Sequence, residues 1–259
     1  MNSLQTYCQR RQHVMIETAR SNSVLLSVRI CLNSAAFVHL LVVALVLLNV
    51  DMSTDNDPNV RVYTIVRWLL LTIWFNFVFL TYYPICIYCD WMERNGRWED
   101  ERALVLRKIR DVVMTSILLP TTLYCDTLFW RTWNNDRALI APVGIFAYLP
   151  HWTHHSLHTI SGVLVILDLI MVPRKRPPSI LPGAIVTTIF TSVYTATVAV
   201  SYANGIVVYA VLNMFSRYQV WLLILMSYLE LYFFYTLQWC LIDIVWGKRT
   251  EMKNEAKKF

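Results

Sequence analysis

Six long apolar stretches, at about 23–49, 64–90, 111–130, 152–172, 181–202 and 220–246, divide the chain. Polar and proline-bearing breaks separate them, among them DMSTDNDPN, ERNGRWEDER, NNDRALIAP and PRKRPP. A bilayer-crossing helix needs ~20 consecutive, mostly apolar residues, and each stretch approaches or exceeds that length. The pattern predicts an all-α integral membrane protein with six transmembrane helices. No repeat of fixed period interrupts it. A single six-helix domain over 23–246 is expected, with an N-terminal tail at 1–22 and a C-terminal tail at 247–259.

Composition agrees with the pattern. Charged residues make up only 15% of the 259 positions, and mean hydropathy is +0.44. The apolar run after the polar N-terminus has no small-residue cleavage site, so it reads as an uncleaved first span.

Charge then predicts orientation. Three Lys or Arg fall in the N-terminal tail, six in 91–110, three in PRKRPP and five in the C-terminal tail, seventeen in all. The alternate connections hold or adjoin only Arg61, Arg67, Arg131, Arg137 and Arg217. Basic residues concentrate on the cytosolic side of membrane proteins, so both termini are expected in the cytosol. The same loops explain the net charge of +6 without a nucleic-acid partner. They also offer anionic membrane lipids a contact surface.

Candidate chemistry begins with ionisable groups in the spans, where a charge is costly. These are His39, Asp126, His151, His154, His155, His158, Asp168, Glu230 and Asp243. Asp168 and Asp243 lie near helix ends and read as solvated. Glu230 reads equally as an interhelical hydrogen bond or as a site group. Cys86-x-x-Cys89 is the one close cysteine pair, and no second pair supports a metal or redox role for it.

The histidines of PHWTHHSLHT, residues 150–159, follow the helical intervals i, i+3, i+4 and i+7. Two readings remain open from the residues alone. His154 and His158 form an i, i+4 zinc pair, with His39 or Glu230 as a further ligand. Alternatively, one histidine is a general base near neutral pH. A base needs a nucleophile, and Thr64, Thr72, Thr115, Thr191 and Ser227 are equivalent candidates at this level.

The stretch FWRTWNNDRALIAPVGIFAYLPHWTHHSLHT resembles the androgen-induced gene 1 family. Phe129, Trp130, Asp136, Arg137, Ile140, Pro142, Pro150, Trp152, His155, His158 and Thr159 carry the resemblance at fixed spacing. It implies an intramembrane threonine hydrolase that cleaves fatty acid esters of hydroxy fatty acids, working without a cofactor. His158 is then the catalytic histidine, and Thr72, four residues after Trp68, the nucleophile. His155, Arg137, Asp126 and Glu230 are the candidate supporting groups, Asp126 or Glu230 to orient the imidazole and Arg137 to anchor a lipid carboxylate. A non-catalytic membrane regulator is the alternative to an enzyme. Two departures stand out. GIVVYA at 205–210 lacks the Trp and Pro of the family's G-x-W-V-Y-P, and His154 occupies a position where the family often has Asn.

An unbroken helix rising 1.5 Å per residue puts Thr72 ~6 Å beyond Trp68, and His158 ~9 Å beyond Trp152. Both depths are measured from the same membrane face. The resident membrane is expected to be the endoplasmic reticulum or the plasma membrane, because the lysines of EAKKF miss the usual dilysine spacing.

Overall fold

The computed structural model describes residues 2–247, with side chains described for 23–246. Residues 248–259 and the side chains of the N-terminal tail lie outside that description, and with them eight of the basic residues expected to set topology. The helices are α1 (Asn2–Leu48), α2 (Pro58–Val66), α3 (Leu71–Arg94), α4 (Glu101–Asn135), α5 (His151–Met171), α6 (Leu181–Ala203), α7 (Val211–Met214) and α8 (Arg217–Trp246). Among the described residues there is no strand, and six helices are long and apolar enough to cross a membrane. They are the Ser23–Leu48 part of α1 together with α3, α4, α5, α6 and α8.

Helices in lipid gain little from hiding apolar surface, so packing and interhelical hydrogen bonds hold them together. The central packing is aromatic. Phe75, Phe79, Tyr82 and Tyr83 of α3 are buried against Leu118 and Leu119 of α4, Val165 of α5 and Tyr235 of α8. Three helices also carry π-type segments, Met114–Leu118 in α4, Ser156–Ile160 in α5 and Asp243–Gly247 at the end of α8. Such a segment shifts the backbone ladder and frees carbonyls, which must find partners where water is absent. In α4 they do so: Gln238 donates to the Thr115 carbonyl at 2.6 Å and Thr187 to the Ser116 carbonyl at 2.6 Å. Gly183 permits this approach, since a Cβ there would lie 2.9 Å from the Ser116 hydroxyl.

One end of the bundle is held by buried charge. Arg29 of α1 pairs with Asp90 of α3 through two nitrogens, one at 3.1 Å, and Arg110 of α4 lies 3.6 Å from the same carboxylate. Arg174 bonds Asp168 at 2.5 Å and approaches Asp111 at 3.3 Å, while Tyr82 donates to Asp168 at 2.8 Å. The expectation that Asp168 is solvated is therefore wrong; it is 8% exposed and neutralised internally. Arg110 and Arg174, counted above among loop charges, are likewise buried partners of this network. A lone charge in this setting costs several kcal/mol, and three arginines facing three aspartates avoid that cost. Asp243 is exposed, as expected, and meets Arg176 at 3.5 Å.

The opposite end carries a cap built from 49–70, 136–150 and 204–216. Asp57 caps the N-terminus of α2 and Pro58 opens it. Met52, Val60, Tyr63, Val66, Ala141, Ile145 and Val208 form a separate small core there. Tyr148 donates to Asp55 at 2.6 Å, which holds that carboxyl below its ordinary range.

Removing one member of a buried pair strands its partner. Asp90→Leu is expected to destabilise the protein by about 3–5 kcal/mol. The double variant Arg29→Met/Asp90→Leu should be less destabilised than Asp90→Leu alone. Thermal unfolding of purified protein in detergent, compared across the cycle, checks both statements.

Candidate active site

The site begins at an interruption. The 64–90 stretch, expected to be one helix, is broken at Leu70, whose backbone is extended (φ −72°, ψ 138°). Two anchors hold the break. Arg67 donates to the carbonyls of Leu47 and Val50 at 2.9 and 2.8 Å, and the Leu71 N–H donates to the Tyr209 hydroxyl at 3.3 Å. Trp68 thus sits in a separate 3-10 turn, and the ~6 Å depth reckoned along an unbroken helix does not apply. Thr72 falls in the first turn of α3, 8% exposed.

Across from it stands α5. The Pro150 carbonyl accepts from the Thr153 backbone at 2.9 Å and from its side chain at 2.7 Å, fixing the start of the helix. His158 lies in the π segment, 7% exposed. Its carbonyl accepts from the Trp130 indole at 2.7 Å, and its ring stacks on Phe129 with centroids 3.7 Å apart and planes 4° from parallel. The FW pair of α4 therefore positions the histidine through both backbone and ring. The sequence marked these aromatics as motif residues without assigning them this role. Their place three and four residues after Asp126, on the same helix, was the available signal.

Three groups then fall in line. Thr72 Oγ1 is 3.5 Å from His158 Nε2, and His158 Nδ1 is 3.4 Å from Asp126 Oδ1. Asp126 is 7% exposed and accepts from the Ser161 hydroxyl at 2.9 Å. Gly162 leaves room for it, because a Cβ there would come within 3.0 Å of Asp126 Oδ2. The Thr72–His158 contact is long for a hydrogen bond, and His158 Nδ1 and Asp126 Oδ1 lie close without forming one, as is common before substrate closes a site. A proton on Nδ1, facing the carboxylate, leaves the Nε2 lone pair facing the threonine.

Three of the four competing nucleophiles are occupied. Thr115, Thr191 and Ser227 each bond a carbonyl of their own helix at 2.7–2.9 Å. Thr64 has a buried hydroxyl with no hydrogen-bond partner. Thr72 instead touches His158 and, at 3.4 Å, the thiol of Cys125.

The other candidates divide clearly. His155 is exposed, bonds Thr159 at 3.3 Å and packs on Trp130. Arg137 lies over the Trp133 ring at 4.2 Å. Glu230 pairs with Arg131 at 3.1 Å and has no contact with His158, so Asp126 is the acid beside the imidazole. His154 is buried among Phe129, Trp133 and Phe146. Among the described residues no group of three His, Cys, Asp or Glu side chains is arranged to hold a metal, so His154 and His158 lack the further ligand from His39 or Glu230. Cys86 and Cys89 are buried free thiols.

Thr72 and His158 open into a cavity of about 970 Å³ between the bundle and the cap. Most of its lining is apolar, with Leu71, Phe77, Leu128 and Trp221 among the walls. Arg67, Arg131 and Arg217 also line it, and no acidic side chain does. Arg131 is neutralised by Glu230; Arg67 and Arg217 have no ion-pair partner among the described residues.

The family described as FAR-17a/AIG1-like protein matches residues 34–241, which contain all of these site groups. The chain belongs to that family. A human relative, the androgen-induced gene 1 protein, is 23% identical over 197 residues, covering 74% of this chain and 82% of the relative. The golden hamster (Mesocricetus auratus) androgen-dependent TFPI-regulating protein is 31% identical over 68 residues, 26% of this chain and 29% of the relative. Its human counterpart is 22% identical over 111 residues, 43% of this chain and 47% of the relative. The chain thus spans under half the length of these TFPI-regulating relatives. No solved structure matches it.

For this FAR-17a/AIG1-like protein, the cavity makes a prediction about thiols. With Cys8, Cys31 and Cys240 replaced by Ser, an apolar maleimide should label Cys125 many times faster than Cys86 or Cys89. Peptide mass spectrometry reads the labelling; equal protection of all three would show that the cavity does not admit ligands as far as Thr72.

Proposed function

We propose that this protein is an intramembrane lipid ester hydrolase, with Thr72 as nucleophile, His158 as base and Asp126 as the group that orients the imidazole. The observation that carries the reading is the Thr72–His158–Asp126 line at the wall of a large, mostly apolar cavity. His158 Nε2 takes the Thr72 hydroxyl proton as the oxygen attacks the ester carbonyl. The alkoxide leaves with that proton, giving an acyl-threonine. Water, deprotonated by the same nitrogen, then releases the fatty acid. Burial of the line strengthens the electrostatics of each step.

The substrates of this reading are fatty acid esters of hydroxy fatty acids, which are apolar apart from the ester and one carboxylate. Support comes from the cavity wall, whose unpaired Arg67 and Arg217 face no acid. A carboxylate entering there meets charge-assisted donors. In the same reading both termini lie in the cytosol and the cap faces the exoplasmic or lumenal side of an endomembrane or the plasma membrane. The basic loops at the opposite end touch anionic lipid.

Purified wild type, Thr72→Ala, His158→Ala and Asp126→Asn form the deciding set. Wild type should hydrolyse a branched fatty acid ester and react with a fluorophosphonate at Thr72. Loss of the base or nucleophile should lower kcat by ~10²–10⁴. Asp126→Asn should lower kcat with little change in KM. Full turnover in Thr72→Ala or His158→Ala would sink the assignment, and inert wild type would favour a non-catalytic membrane regulator.

The arginine wall adds a specificity prediction. Methylating the substrate carboxylate should raise KM by ~10-fold or more, since a hydrogen bond to a charged group contributes ~1.5–3 kcal/mol. Arg217→Ala, which leaves the Arg67 anchor intact, should narrow that preference while leaving kcat for the methyl ester near wild type.

A further inference from the structure

Acyl transfer through a threonine needs more than a base. The carbonyl oxygen becomes negative as Thr72 attacks, and a donor must meet it. We infer that the hydroxyl of Tyr209 is that donor, making Tyr209 a catalytic residue of the site. The inference rests on the hydrolase reading above.

Proton counting carries it. Tyr194 and Tyr209 hydroxyls are 2.5 Å apart, and one of them donates to the other. Leu71 N–H also points at Tyr209, at 3.3 Å, and adds a third donor to the cluster. Two phenols hold two protons, and their mutual bond uses one. No carbonyl or carboxylate accepts from either hydroxyl among the described residues. One O–H is therefore left with nothing to donate to. If Tyr194 donates to Tyr209, the spare proton is on Tyr209. Leu71 N–H already lowers the electron density of that oxygen, which sharpens Tyr209 as a donor.

Position agrees with the count. Both tyrosines line the same cavity as Thr72 and His158. Tyr209 is held to the residue preceding Thr72, at the break that starts α3. Cys125, in contact with Thr72, is an electrostatic neighbour of both phenols. Tyr194 is fixed in turn by the edge of Trp74, with ring centroids 5.4 Å apart. In the reaction Thr72 oxygen bonds the carbonyl carbon, the C=O π pair moves to oxygen, and that oxyanion accepts from Tyr209. The Tyr209 proton stays on Tyr209; the transferred proton is the one on His158.

The test uses full-length Tyr209→Phe and Tyr194→Phe beside wild type, Thr72→Ala and His158→Ala. Tyr209→Phe should lower kcat by ~10²–10³ with KM nearly unchanged, the signature of a lost oxyanion donor. It should also lose affinity for a long-chain trifluoromethyl ketone, whose tetrahedral adduct needs that donor, while fatty acid product binding persists. Tyr194→Phe leaves Tyr209 its own proton and should keep kcat close to wild type. Unchanged kcat in Tyr209→Phe, with Thr72→Ala and His158→Ala inactive, overturns the tyrosine assignment alone. So does an equal fall in both tyrosine variants, or loss of product binding in Tyr209→Phe. Wild type without hydrolysis overturns the hydrolase reading and this inference together.

Discussion

A backbone amide or carbonyl released from a helix inside an apolar bundle has no water to turn to. Every irregularity in the spans must therefore be closed by a side chain from elsewhere. Three such places are the break at Leu70 and the π segments of α4 and α5. Tyr209 meets the freed Leu71 amide, Gln238 and Thr187 meet α4, and Trp130 meets the His158 carbonyl. The α4 and α5 closures tie helices at a fixed register, and Tyr209 ties the start of α3 to the cap. Two of the three also fix Thr72 and His158, so the need to satisfy backbone and the placing of these two side chains are one constraint.

Much of the fold was legible because length and apolarity are local properties. All six spans follow from them, and His158 follows from a run of motif residues that folds onto itself between α4 and α5. Asp126 was visible as a costly charge in a span, though not chosen over Glu230. What stayed hidden depends on pairs. Arg29 reads as a blemish in an apolar run until Asp90, sixty-one positions away, is beside it. Asp168 at a helix end reads as solvated until Arg174 folds back upon it. The Leu70 break leaves no Pro or Gly in the sequence. It is imposed by Arg67 reaching the end of α1 and by Tyr209 reaching up from the far cap, contacts that no periodicity encodes.

The two ends of the bundle handle charge in opposite ways. Around Asp90 and Asp168, the buried arginines and aspartates cancel at close range and clamp that end. Around the cavity the cancellation is incomplete, because Glu230 answers Arg131 and no acid answers Arg67 or Arg217. Asp51, whose carboxyl is held down chiefly by hydrogen bonds from Ser53 and only slightly by Arg67, is solvated and screens the guanidinium weakly. Uncompensated cations beside apolar walls describe a space suited to a chain with an anionic end.

The break at Leu70 also explains why Thr72 does not bond its own helix backbone as many span threonines do. A threonine inside a helix bonds the carbonyl four residues back, as Thr115, Thr188, Thr191 and Thr195 do here. That bond occupies the hydroxyl proton and points the oxygen along its own helix. For Thr72 the carbonyl four back belongs to Trp68, across the extended Leu70, and is no longer stacked beneath the side chain. The hydroxyl is left to face His158 and Cys125. An unbroken helix from 64 to 90 would be simpler to pack, but it would return Thr72 to the common state of its neighbours. The interruption that costs regular structure is what leaves a threonine unpaired with its own backbone beside a histidine.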